Sequence, residues 1–255
     1  MELKFTSLDN IPLIKPGDDL STIIAERVVE QGISPQKGDI FILAQKIVSK
    51  AEGRLVNLST IQPSPEAIRI SEITQKDPRF VEVVLSESKK VLRVRFNTLI
   101  VEHKRGFICA NAGIDHSNVR GEWGEEQDWI LLLPEDADAS AESIRQALQK
   151  RFGVDLGVII IDSHGRAWRN GTVGIAIGLA GMPGLVDLRG NEDLFGFKLK
   201  VTQVGAADEL AAGASLLMGQ AKEGTPVVMA HGFPYALREG NLQELIRPEE
   251  MDLFR

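Results

Sequence analysis

The chain has 255 residues, of which 43% are hydrophobic and 25% charged, and its net charge is -7. That length supports a sizeable core, in one domain or in two intimate lobes with a boundary near 135–140. The acidic balance offers no basic face to a nucleic acid backbone, and the single cysteine, Cys109, excludes an internal disulfide and an all-cysteine metal site.

The start, MELKFTSLDN, lacks the basic-then-apolar order of a secretory signal, so the cytoplasm is the expected compartment. GDIFILAQKIVSKAEGR opens with a β-rich apolar run at 40–43 and turns polar through Gln45, Lys46, Ser49 and Lys50. A strand feeding a polar loop is predicted there. SPEAIRISEITQ carries Ser64 as an N-cap, Pro65 at the first helical position and Glu66 in the first turn, which marks a helix start. NTLIVEHKRGFICANAG reads as two short strands joined at Lys104, Arg105 and Gly106, a hairpin whose exit delivers Asn111 to Asn118.

SAESIRQALQKRF places Ile144, Leu148 and Phe152 on one helical face, with Gly153 where a capping glycine belongs. GVIIID is a buried strand by its unbroken apolar character, and it exits into Asp162, Ser163, His164, Gly165 and Arg166. The uncharged run at 170–186 is too short and too rich in glycine to span a bilayer, so no membrane partner is expected. AADELAAGASLLMG predicts a helix with Asp208 and Glu209 in its first turn and Gly219 at its end, and TPVVMAHGF predicts a late core strand. Strand and helix signals alternate without a repeat, which implies a mixed α/β or α+β fold. Trp123, Trp129 and Trp168 are expected to pack the core or the lobes, and Cys109 to be a small buried apolar residue.

No familiar motif covers the site. No two of the 24 glycines are separated by one residue, which removes the dinucleotide loop, and no P-loop, G-x-S-x-G elbow or H-E-x-x-H helix occurs. Four scattered histidines give zinc little support, and nothing pairs His164 or His231. What remains is oxygen chemistry: Asp115 and Asp162 each follow an apolar strand, with Ser117, Asn118 and Ser163 beside them. Such donors suit Mg2+ or Mn2+ bridging protein to phosphates, but an aspartate after a strand also serves as a turn former or helix cap. Likewise, lysines such as Lys46 and Lys50 are more often solvated loop residues than phosphate ligands, by about three to one.

Six ordered blocks narrow the choice: IPLIKPGDD at 11–19, VSKAEGR at 48–54, ANAGIDHSNV from 110, DSHGRAWRNGTVGIAIG from 162, DLRGNEDLFG, and ADELAAGASLLMGQ. Together they resemble the coenzyme F420-0:L-glutamate ligase family, the CofE family, also found as the N-terminal domain of FbiB. The resemblance implies an α+β fold with a mixed sheet, a single domain over 1–255 without the nitroreductase-like domain of FbiB, and an intertwined homodimer. It implies an amide ligase that uses GTP, two divalent cations (Mg2+ or Mn2+, with K+ as a further ion) and L-glutamate to extend F420-0 with γ-linked glutamates. Carried residue by residue, the first-metal aspartates match Asp115 and Asp162, and the second-metal ligands match Ser163 and Gln220. Nucleotide positions match Ile11, Pro12, Leu13, Ile14, Gln45, Lys46, Lys50, Asn118, Met218, Gly219, Gln220, Ala221, Lys222, Glu223, Gly224 and Thr225. Gln45 and Lys46 depart from the small hydroxyl residues of some members, and Phe197 stands where an arginine often follows D-L-[FY]-G.

The implied chemistry agrees with the oxygen donors. A carboxylate condenses with an amine only after gaining a leaving group, so the F420-0 carboxylate would take the γ-phosphoryl group of GTP before glutamate's amine displaces phosphate. That step needs positioning and charge neutralisation, which makes Asp115 and Asp162 ligands rather than nucleophiles. Lys50 is the first candidate for a catalytic lysine, with Arg166 and Arg169 as further, more speculative candidate cations. Two other readings use the same residues: a metal-dependent nucleotide hydrolase or phosphotransferase, and a non-catalytic deazaflavin-binding protein.

Overall fold

Two apolar runs, 40–44 and 157–161, lie side by side as the parallel pair at the centre of a five-stranded sheet. The structure, a computed structural model, describes residues 2–121 and 123–253. In chain order its elements begin with β1 (Lys4–Ser7), α1 (Leu20–Glu30), β2 (Ile40–Ala44), α2 (Gln45–Ala51), β3 (Leu55–Asn57), α3 (Pro65–Thr74) and α4 (Pro78–Ser86). Then come β4 (Ser88–Arg95), β5 (Thr98–His103), β6 (Ile108–Ala110), β7 (Trp129–Leu131), α5 (Ala137–Phe152), β8 (Gly157–Arg166) and β9 (Arg169–Ala180). The last are β10 (Val186–Asp187), β11 (Gln203–Val204), α6 (Ala206–Met218) and β12 (Val227–His231).

The main sheet has the order β1-β12-β2-β8-β9 and is mixed, since only β2 and β8 run parallel. Such a fully covered pair needs apolar residues on both faces, which is why both strands read as unbroken hydrophobic runs. One face is covered by α1 and α5, and the other by α6. Two glycines of β9 permit these approaches: a Cβ at Gly178 would strike the backbone of Ala137, and one at Gly174 would sit 2.6 Å from the Ala211 carbonyl oxygen. A separate apolar cluster joins α3 and α4 to the β4-β5-β6 sheet and the β3–β7 pair. The architecture is thus α+β with a mixed sheet, as expected.

Several local expectations hold. Ser64 accepts from the Ala67 amide at the start of α3, Gly153 closes α5 at φ 71°, and the 98–110 hairpin turns at Gly106 with φ 98°. Three do not. The polar stretch after Leu43 is a helix, α2: Gln45 and Ser49 share one face and Lys46 and Lys50 another, while Ile47 and Val48 pack inward. Its polarity belongs to a cavity wall rather than to a solvated loop. Asp162 does not lie at a strand exit, because β8 continues to Arg166 paired with β9. What ends there is its other neighbour: β2 stops pairing at Ala44–Ile161 as the chain turns into α2, which uncovers Asp162. Finally, only Trp129 is buried; Trp123 is exposed, and Trp168 is 87% exposed at the tip of the β8–β9 hairpin.

Candidate active site

The carboxyl ends of the parallel strands open into a cavity of about 800 Å³, the location where open α/β sheets bind ligands. Every metal and nucleotide position carried over from the resemblance borders it: 11–14 before α1, Gln45, Lys46 and Lys50 on α2, Asp115 and Asn118 after β6, Asp162 and Ser163 on β8, and 218–225 from the last residue of α6 onward. Arg166 and Arg169 do not. Both sit on the exposed hairpin tip, where Arg166 donates to the Asn170 carbonyl. The cations that line the cavity are instead Lys46, Lys50, Arg120 and Lys222.

Asp115 is delivered by an unusual backbone. Asn111, Ala112 and Gly113 are successive left-handed residues at φ 52°, 53° and 69°. Only glycine takes that region freely, so an alanine there is strained, a feature that concentrates at functional sites. Gly113 has a further reason: a Cβ would lie 2.5 Å from Leu133 Cδ1. The chain then fastens Asp115 to Leu131 by reciprocal amide-carbonyl bonds of 3.0 and 2.9 Å. Thus the polar block after Cys109 is a built turn that aims one carboxylate.

That carboxylate is held from α2. Gln45 Nε2 donates to Asp115 Oδ2 at 2.6 Å, and Lys46 Nζ lies 3.1 Å from Oδ1 and 3.0 Å from Ser117 Oγ. Burial still pushes the Asp115 carboxyl above its ordinary range; the Lys46 charge pulls it down, and the Asp162 charge adds to the rise. Two carboxylates therefore share one poorly solvated space. Lys50 donates to the Asn118 carbonyl at 2.7 Å, and burial, then the Lys46 charge, holds its ammonium below the usual lysine range. Asn118 Nδ2 in turn donates to the Ala221 carbonyl at 3.1 Å, tying two walls together.

The second pair carried over, Ser163 and Gln220, is also in contact: Ser163 Oγ donates to Gln220 Oε1 at 2.9 Å. Among the described residues no group of three or more His, Cys, Asp or Glu gathers as a metal cluster. The donors present are two carboxylates, a hydroxyl and an amide oxygen. This set fits Mg2+, which binds through one or two carboxylates plus substrate phosphates and keeps water, and Mn2+, which shares its taste for oxygen. Each Asp115 oxygen accepts one protein donor and retains a further lone pair.

Sequence reasoning missed His164. Its Nε2 lies 2.9 Å from Asp162 Oδ2, a pairing that the i, i+2 alternation of a strand would have suggested. His231 is also paired, to Asp39 at 2.7 Å. His116, without a role in the sequence, faces Phe80 and does not line the cavity. Cys109 is buried, and burial pushes its thiol up to about 12, in keeping with a packing role.

The family profile described as F420-0:Gamma-glutamyl ligase matches residues 9–232. The chain is similar to the coenzyme F420:L-glutamate ligase of Methanothermobacter thermautotrophicus, at 45% identity over 257 residues covering 100% of both chains. It is 44% identical to the protein of the same name from Methanopyrus kandleri, covering 97% of each, and 41% identical to that of Archaeoglobus fulgidus, covering 100% of this chain and 97% of the other. No helix among the described residues is long and apolar enough to cross a membrane.

Proposed function

The chain belongs to the F420-0:gamma-glutamyl ligase family and is a ligase, and from that premise we propose that it joins L-glutamate to coenzyme F420-0 at the expense of GTP. The observation that carries the proposal is the meeting of Asp115 and Asp162 with Lys46 and Lys50 on one cavity. The terminal carboxylate oxygen of F420-0 attacks the γ-phosphorus of GTP, and GDP leaves with the bridging oxygen. Glutamate's amine then attacks the acyl carbon, phosphate departs, and the nitrogen gives up a proton to complete the amide. Repetition on the new side chain gives γ-linked tails.

The protein's share is positioning and charge. Asp115 and Asp162 would hold a first divalent cation, Mg2+ or Mn2+, with Ser163 and Gln220 at a second, and K+ as an additional ion. Bound there, such cations neutralise the triphosphate and polarise the transferring group. Lys50 reaches the same space from α2, and its partial burial strengthens any contact with phosphate oxygen. Residues 11–14 and 218–225 would enclose the nucleotide, with Asn118 fixing the second wall. A homodimer and a cytoplasmic setting complete the reading; the apolar side chains of Leu194, Phe195 and Val201, exposed on one loop, support the dimer.

Incubation of the protein with F420-0, GTP, Mn2+ and L-glutamate should yield F420 heavier by whole glutamyl residues in mass spectrometry, with GDP formed in step. Phosphate release independent of F420-0 and glutamate would favour a nucleotide hydrolase instead, and F420-0 binding without GTP turnover would favour a binding protein.

A further inference from the structure

Strand alternation sets Asp162 and His164 side by side on the same face of β8. His164 is 7% exposed, and its Nε2 lies 2.9 Å from Asp162 Oδ2. Its Nδ1 is buried without a hydrogen-bond partner among the described protein groups. The ring packs against Phe107, centroids 5.7 Å apart, and Phe107 stacks in turn on His103 at 4.8 Å. A position that only needed filling would be better served by an apolar ring, since an imidazole sacrifices hydration at both nitrogens. The one polar contact that offsets this loss points to a carboxylate at the cavity.

We propose that His164 is a positioning residue for Asp162: it donates from Nε2 to Oδ2 and fixes the carboxylate so that its remaining lone pairs face the cavity. In this arrangement the carboxylate oxygen accepts and the proton of the bond sits on Nε2. Phe107 sets the plane of the ring, and the ring sets the carboxylate. Asp115 is served in the same way by Gln45, so each acid has a buried side-chain donor from its own or a neighbouring element. Such outer contacts orient ligands and raise the affinity of the sites they support. The inference rests on the reading of Asp162 as a metal ligand.

The test is Mn2+ binding to the full chain, with the metal alone followed by electron paramagnetic resonance, alongside thermal unfolding. Asp162→Asn is the control for the ligand reading. His164→Phe keeps the ring and its packing but removes the donor; it should weaken Mn2+ binding about 10- to 100-fold while Tm stays close to wild type. His164→Gln restores a donor and should recover binding to within a few-fold. Wild-type affinity in His164→Phe, with affinity lost in Asp162→Asn, would overturn the positioning role and leave the ligand reading intact. Equal weakening in Phe and Gln variants, with a matching fall in Tm, would reduce His164 to packing. Unchanged Mn2+ binding in Asp162→Asn would remove the ligand reading and this inference with it.

Discussion

Gln45 Nε2 and Asp115 Oδ2 lie 2.6 Å apart, joining residues 70 positions distant in sequence, and the amide is itself fixed by Ser49 Oγ, which donates to Gln45 Oε1 at 2.9 Å. Gln45 is 1% exposed, so both of its polar ends are satisfied inside the protein. Because Ser49 claims the carbonyl end, the NH2 end must face the acid. Replacing Gln45 by Leu leaves a buried hydroxyl and a carboxylate oxygen without this partner, at a cost of about 1–3 kcal/mol in stability. With Asp115 as the proposed metal ligand, turnover should fall about 10- to 100-fold, the usual effect of removing a group that orients such a ligand. Urea unfolding and steady-state rates check both; a Leu variant with wild-type turnover would show that the amide is not needed.

His103 predicts a pH effect away from the cavity. Burial holds its imidazole down at about 4, against an ordinary value near 6.5. The unfolded chain therefore binds a proton at this residue between those values while the folded chain does not. Stability from this group is complete above pH 6.5 and is lost as pH falls through 4, by roughly 3 kcal/mol in all. Urea midpoints measured from pH 7 to pH 4.5 should fall more steeply in wild type than in His103→Gln. Parallel curves would refute the assignment.

The sequence displayed some of these features and hid others for definite reasons. Unbroken apolar runs betrayed β2 and β8, because a covered parallel pair has no polar face. Caps betrayed α3 and α5, since Ser64 and Gly153 act locally. By contrast, α2 has no side-chain cap and shows its cavity a polar face, so its seven residues imitate a loop. The pairing of Gln45 with Asp115 depends on where β6 arrives relative to β2, information that no local window contains. His164 was legible in principle: the i, i+2 spacing to Asp162 was in view, but only the continuation of β8 past residue 162 gives it meaning. Arg166 and Arg169 misled for the same reason, since a hairpin that continues carries them away from the cavity.

Asn118 links two cavity walls, and its loss should be read in binding rather than in chemistry. Its Nδ2 reaches the Ala221 carbonyl at 3.1 Å, while its own carbonyl accepts from Lys50 at 2.7 Å. Since its φ is 58°, glycine is the proper replacement: it keeps the left-handed backbone and removes only the amide. One lost hydrogen bond of about 1 kcal/mol should raise the KM for GTP about fivefold with kcat nearly unchanged. A fall in kcat at constant KM would place Asn118 in the chemical step.

The loop between β10 and β11 makes the proposed homodimer testable. It folds on itself through Leu188 N to Thr202 O at 3.0 Å and Gly190 N to Leu199 O at 2.8 Å. Yet Leu194 is 97% exposed and Phe195 94% exposed, and Lys200 rests over the ring of Phe197 with 5.8 Å to its centroid. Local bonds thus stiffen a loop whose apolar tip gains nothing from its own chain. Burial of such surface contributes about 25 cal/mol per Å², so these side chains would stabilise a second copy seated on them. A charge placed there must be desolvated on association, and Phe195→Glu should convert a wild-type dimer to monomer in light scattering at micromolar concentration. The Tm of that monomer should become independent of protein concentration, as mass action requires when no partner binds the folded state. A variant that remains dimeric would move the interface elsewhere, and a wild-type protein monomeric at every concentration would end the homodimer reading.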